Sequence, residues 1–157
     1  MRMQRIYLDT SVISHLDHAD APEKMADTQA LWESFLLGRF KSVISNVTIE
    51  ELARCPEPKR TELLIYLEQL DYELLNETAE SLELADEYMQ YSVLSEKSRV
   101  DCRHIAVATI HNCQYITSWN FKHFVNIKTI SKVQAVNKMF GYPEINIFPP
   151  TMLLEGV

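Results

Sequence analysis

The chain reads as short apolar runs separated by longer amphipathic stretches. Arg5-Ile6-Tyr7-Leu8 is β-prone and stops at Asp9-Thr10-Ser11, the pattern of a strand delivering its chain to a helix N-terminus, with Asp9 or Thr10 able to cap it. Glu23 to Leu37 spaces Met25, Leu31 and Phe35 as a helix does, and Gly38 is a fitting stop. Lys41 to Ser45 predicts a second strand. Asn46 can then cap a short helix, Val47 to Ala53, closed by Cys55-Pro56. A helix from about Pro58 to Leu70 and a strand over Tyr72 to Leu75 follow. Glu77 to Leu94 is a long amphipathic helix with Leu82, Ala85, Tyr88, Met89 and Val93 near one face. Ser98 to Asp101 opens a helix packed through Ile105, Ala106, Ala108 and Thr109 and ending near His111 and Asn112. Tyr115 to Thr117 is a fourth strand. A last helix spans about Ser131 to Phe140, stopped by Gly141 and Pro143, and Ile145 to Phe148 makes a final strand before Pro149-Pro150.

Alternating strands and helices predict an α/β fold with a mostly parallel sheet. No repeat, low-complexity tract or linker interrupts the pattern, so residues 1–157 are expected to form a single domain. Parallel sheets of this kind bind ligands outside the carboxyl ends of their strands. The polar residues expected there are Asp9, Glu50 or Glu51, Ser118 and Asn120, with Asp101 opening the helix that leads into the fourth strand. Carboxylates gathered at one end repel one another, and a hard divalent cation resolves the repulsion. Each acid also has a local alternative. Asp9-Thr10-Ser11 can cap a helix, Ser98-x-x-Asp101 fits a capping box, and Glu50 and Glu51 lie where a helix dipole favours acids.

Composition changes this picture in two places. Gly 3 leaves no glycine-rich phosphate loop, and no GxSxG motif supports a serine hydrolase. An aspartyl-phosphatase motif would need a second Asp two residues after Asp9, where Ser11 stands. The formal charge of -7 argues against a nucleic-acid binder, but the charge is segregated. Glu62 to Glu87 holds nine acids and no Lys or Arg, whereas Lys97 to Lys138 holds seven bases and the single acid Asp101, a net of +6. A basic footprint for nucleic acid is therefore expected in the C-terminal third. The N-terminus lacks the unbroken apolar stretch of a signal peptide, no run approaches a membrane span, and Cys 3 is too sparse for a disulfide framework, so a cytoplasmic protein is expected.

Four stretches taken together carry a resemblance. Ile6 to Ser14 (IYLDTSVIS), Ser45 to Leu52 (SNVTIEEL), Asp101 to Ala108 (DCRHIAVA) and Tyr115 to Phe124 (YITSWNFKHF) occur in the order found in PIN-domain nucleases, and within these the chain resembles the VapC-like toxins of toxin–antitoxin pairs. The closing INIFPPTMLL is similar to the family's last strand and its Pro-containing tail. The resemblance implies a three-layer α/β/α sandwich and Mg²⁺- or Mn²⁺-dependent cleavage of RNA, with one or two ions. It also implies a cognate antitoxin, a homodimer and no membrane. Carried over by position, Asp9 and Asp101 are metal-binding acids. The second acid is Glu50 or Glu51; the family's glutamate precedes a leucine, which points to Glu51. The family commonly has an aspartate where this chain has Asn120, an oxygen donor without charge. Thr10, Ser11, Ser118, Lys122 and His123 are the expected substrate contacts. The rival expectation is a PIN-like module that binds RNA or protein with little chemistry.

Other constellations are weaker. Cys102, His104, His111 and Cys113 include pairs two residues apart, which a helix turns about 200° from one another, against zinc chelation. Cys102 and Cys113 are expected in the core. His15 and His18 are expected as a surface pair. Trp119 and Phe121 can stack on bases or belong to the core.

Overall fold

The computed structural model describes residues 3–91, 93–95 and 98–155. Five parallel strands, β1 (Arg5–Leu8), β2 (Lys41–Ser45), β3 (Glu73–Leu75), β4 (Tyr115–Thr117) and β5 (Asn146–Phe148), form one sheet in the order β3-β2-β1-β4-β5. β1 is central, pairing Tyr7 with Val43 of β2 on one side and with Ile116 of β4 on the other. The chain builds outward from β1 in one direction and then restarts at β4 in the other. That reversal opens a crevice between the carboxyl ends of β1 and β4.

The helices are α1 (Thr10–Ser14), α2 (Pro22–Leu36), α3 (Asn46–Ala53), α4 (Lys59–Glu68), α5 (Ala79–Gln90), α6 (Arg99–Ile110), α7 (Ile127–Met139) and α8 (Pro150–Glu155), with a 3₁₀ turn at His15–Asp17. The sheet separates two cores, and successive strand residues point to opposite sides. Ile6, Leu8 and Ile44 join Val12, Leu31, Trp32, Leu63 and Leu153 on one face, whereas Tyr7, Val43 and Ile116 join Tyr88, Ile105, Val133 and Val136 on the other. Both faces of β1 are covered, which is why Ile6-Tyr7-Leu8 is continuously apolar rather than alternating.

Several local expectations change in detail. Ser45, not Asn46, caps α3: its Oγ accepts from Val47 N at 3.1 Å while Thr48 Oγ1 accepts from Ser45 N at 3.3 Å. Asn46 reaches outward instead, bonding Glu77 through both its amide nitrogen and its carbonyl oxygen. α5 starts after Thr78, whose side chain forms a capping box with Ser81, and Leu82 lies on its exposed side because Ser81, Leu84, Ala85 and Tyr88 take the packed face. α7 starts at Ile127, four residues early, because Asn126 Oδ1 accepts from Thr129 N at 2.8 Å. The tail after Pro149 folds into α8, with Pro150 at a first-turn position that needs no N–H donor. Left-handed Asn112 (φ 59) turns the end of α6 toward β4.

Among the described residues, no helix is long and apolar enough to cross a membrane.

Candidate active site

Asp9 continues the line of β1 past its end, donating its backbone N–H to Thr117 of β4 at 3.1 Å. It occupies the N-cap position of α1, yet its carboxylate makes no capping bond. Asp9 Oδ2 instead accepts from Ser11 Oγ at 2.7 Å and from Ser118 Oγ at 2.8 Å. Two hydroxyls thus fix a carboxylate that is only 5% exposed. Its other oxygen, Oδ1, lies 3.8 Å from His104 Nε2.

The adjacent glutamates part company. Glu50 is exposed and pairs with Arg103 at 3.2 Å. Glu51 turns into the crevice, where Oε1 accepts from Thr10 Oγ1 at 2.7 Å and meets His104 Nε2 at 2.5 Å. Burial pushes the Glu51 pKa up, but the His104 bond and charge, Thr10 and Arg54 outweigh it and hold the carboxyl below its usual range. Burial likewise opposes charge on His104. The carboxylates of Glu51, Asp9 and Asp101 overcome that and leave the imidazole pKa raised.

Asp101 sits in the first turn of α6, one turn before His104. The Ser98–Asp101 capping box does not form, since Ser98 makes no side-chain cap bond. Asp101 Oδ2 bonds His123 Nδ1 at 3.1 Å. Burial and then the charge of Asp9 push the Asp101 carboxyl up to about 6, against His104 and His123.

Asn120 Oδ1 accepts from His123 N at 2.9 Å, capping the turn that carries the chain to α7, and its backbone N–H bonds Ser118 Oγ at 2.9 Å. Trp119 is core: its indole N–H bonds Thr28 Oγ1 at 2.8 Å. Phe121 is 46% exposed, and Lys24 Nζ lies 5.6 Å from the Trp119 ring and 5.3 Å from the Phe121 ring. His15 and His18 are half-buried rather than on the surface, their rings 4.7 Å apart and tilted by 37°, with His15 also against Trp119. Beside Asp101 and His123 opens a cleft of about 640 Å³ bordered by Phe121, Lys122, His123, Asn126, Lys128 and Lys132.

The charge segregation is partly internal. The acidic segment takes Arg103 onto Glu77, Arg99 onto Asp86 and Arg5 onto Glu73. Arg99 and Arg103 are therefore paired with acids, and the lysines that border the cleft are Lys122, Lys128 and Lys132; Lys97 lies outside the described residues.

His104, fully buried and bonded to Glu51, is the site residue that the sequence pattern does not single out. In the sequence it stands out only as a zinc ligand beside Cys102, and Cys102 and Cys113 are both buried in the apolar core, as expected. Its spacing from Asp101 was the usable signal, because residues three apart share a helix face. Asp9, Glu51 and His104 place one ligand atom each within 4.8 Å of one another, a donor set that can hold a metal ion. Asp101 adds a carboxyl whose pKa is raised by burial and by the charge of Asp9.

Comparison with curated proteins finds no match. Among solved structures, the chain is similar to Mycobacterium tuberculosis VapC20, a sarcin-ricin-loop-cleaving toxin, at TM-score 0.58 and 19% identity over 89% of this chain and 98% of that one. It is also similar to VapBC2 from Rickettsia felis, bound to a DNA fragment from their promoter, at TM-score 0.55 and 14% identity over 92% of this chain and 97% of that one. These likenesses show a shared fold. The PIN domain family matches residues 6–120, a span holding Asp9, Glu51, Asp101 and Asn120; the chain belongs to the PIN domain family.

Proposed function

We propose that the protein is a Mg²⁺- or Mn²⁺-dependent endoribonuclease that acts as a VapC-like toxin, held in check by a cognate antitoxin and acting in the cytoplasm as a homodimer. The observation that carries this reading is that Asp9 and Glu51 come together with His104 at the carboxyl ends of β1 and β4, with Asp101 one helical turn before His104 and near enough to feel the charge of Asp9; Asp9 Oδ2 is already satisfied by two serines, and Oδ1 is left toward His104. Asp9, Glu51 and Asp101 would hold the cation, and Asn120 stands at the rim. A divalent ion there would supply Lewis-acid polarisation of a phosphate and activation of water for in-line attack. The protein's own part is positional. Ser11 and Ser118 orient Asp9, Thr10 and His104 orient Glu51, and His123 orients Asp101. Lys122 and Lys128 border the cleft and would meet phosphates flanking the cut, and exposed Phe121 would offer a ring to an unpaired base. VapC20 and VapBC2 share the fold, which supports the toxin reading and the antitoxin partner.

Purified protein incubated with structured RNAs in Mg²⁺ or Mn²⁺ should produce discrete fragments. Products that persist in the Asp9→Asn variant would remove the assignment. Phe121→Ala should weaken binding to single-stranded RNA several-fold, in line with roughly 1–3 kcal/mol per stacked base; fluorescence anisotropy with a labelled oligonucleotide checks it, and unchanged affinity excludes the ring from the substrate path.

One observation favours a second reading, that of a binding module with little chemistry. Asn120 carries no charge, and its oxygen is engaged by His123 N. Asn120→Asp keeps that acceptor and adds a carboxylate beside Ser118. It should tighten Mn²⁺ binding and speed cleavage if position 120 serves the site. Absence of cleavage by both forms, across several metals and RNAs, would establish the module.

A further inference from the structure

Behind the carboxylates runs a fully buried hydrogen-bond relay. Tyr7, Ser45 and His104 are each 0% exposed. Tyr7 Oη lies 2.7 Å from Ser45 Oγ and 2.5 Å from His104 Nδ1, and His104 Nε2 lies 2.5 Å from Glu51 Oε1. Ser45 Oγ also accepts from Val47 N, in the first turn of the helix that carries Glu51. The relay therefore leaves α3 at its cap, crosses β1 and α6, and returns to α3 at Glu51. It ties together the three elements that bear Asp9, Glu51 and Asp101.

We propose that His104 is a positioning residue, backed by Tyr7 and Ser45, that fixes the Glu51 carboxylate to receive a divalent cation. The proposal rests on the metal-dependent reading of the site.

One arrangement of hydrogens satisfies every link. Ser45 donates to Tyr7, Tyr7 donates to His104 Nδ1, and His104 Nε2–H donates to Glu51 Oε1. It needs only a neutral imidazole. With Thr10 also donating to Oε1 at 2.7 Å, that oxygen is pinned twice. No hydrogen bond reaches Glu51 Oε2 among the described residues. A glutamate otherwise has three free torsions to immobilise. Buried donors that have already done so remove that cost before a cation arrives, and outer-shell partners of this kind matter about 10–100-fold in metal affinity. In this arrangement Nε2 carries the hydrogen, so His104 orients a ligand instead of serving as one.

Mn²⁺ titration of the purified full chain by calorimetry tests this. Tyr7→Phe removes one oxygen and keeps the buried ring. It should weaken Mn²⁺ binding about tenfold, and His104→Leu about a hundredfold, the range for outer-shell partners, with near-UV circular dichroism unchanged. His104→Gln, whose amide can still donate to Glu51, should recover part of the loss. Pulsed electron paramagnetic resonance of the wild-type Mn²⁺ complex should show no directly bonded nitrogen. Wild-type affinity in folded Tyr7→Phe overturns the proposal, as does a bonded nitrogen, which would make His104 a ligand. Should His104→Leu not fold, Tyr7→Phe carries the test alone. Mn²⁺ binding that follows the relay without any RNA cleavage would sink the nuclease reading and leave the relay standing. Cleavage with metal affinity unmoved by the variants would sink the relay alone. No Mn²⁺ binding by the wild type overturns both.

Discussion

Asp9→Asn should abolish RNA cleavage while leaving the protein folded and no less stable. An asparagine oxygen in the place of Oδ2 keeps both hydroxyl bonds, from Ser11 at 2.7 Å and Ser118 at 2.8 Å, so the crevice wall is preserved. Its amide group then replaces Oδ1, and an anionic acceptor facing the crevice becomes a neutral donor. A cation site cannot use that. The loss should exceed the roughly 10–100-fold typical of outer-shell partners. Stability moves the other way. Asp9 is one of the causes that raise the Asp101 pKa, and removing its charge relieves that repulsion. The melting temperature of the metal-free variant should equal or exceed that of the wild type, the usual exchange between a strained site and stability. Calorimetry together with a gel assay of RNA fragments checks both halves. A variant that is inactive only because it is unfolded would refute the argument.

Chelation of divalent ions should stop cleavage completely, and returning Mn²⁺ should restore it and raise the melting temperature. At 100 times its dissociation constant an ion adds about 2.7 kcal/mol. For a domain of this size that is roughly 5–10 °C. The effect should depend on pH with a definite sign. The folded pKa of Asp101 lies above its ordinary value of 3.8, at about 6. The folded state therefore holds that proton more tightly than the unfolded chain does, and the metal-free protein loses stability as pH rises through this window. The raised pKa of His104 acts in the same direction at higher pH, its contribution being lost as the ring deprotonates. A cation competes for the same carboxylates, so the Mn²⁺-induced shift should be larger at about pH 7.5 than at about pH 5. Metal-induced shifts that are equal at the two pH values would remove Asp101 from the cation site.

Much of the fold was legible because period and punctuation agree. Ile6-Tyr7-Leu8, Lys41 to Ser45 and Tyr115 to Thr117 are short β-prone runs with turn or cap residues beside them, and each is a strand. The errors fall where a side chain had two uses. Asn46 and Ser45 are both good caps, and the choice went to Ser45 because Asn46 is engaged by Glu77 across the surface. Leu82 follows the helical period, yet Ser81 and Leu84 took the packed face. Asn126 caps α7 four residues before the apolar spacing suggests a start, and Pro149-Pro150, which has the look of a tail, opens α8 because a proline in the first turn needs no N–H donor.

The order of acids along the chain is a property of the sequence by itself: Asp9 after one strand, Glu50-Glu51 after the next, Asp101 and Asn120 around the fourth. So are the alternation that makes the sheet parallel and the neutral residue at position 120. Only the tertiary structure sets Glu50 and Glu51 apart in their partners, Arg103 for the one and buried His104 for the other. Only it brought Tyr7, Ser45 and His104 into one buried chain, and only it paired Arg99 and Arg103 with Asp86 and Glu77. Residue spacing defines which face of one element a side chain occupies. Which partner meets that face, from 38 or 97 positions away along the chain, is settled by packing of the whole fold.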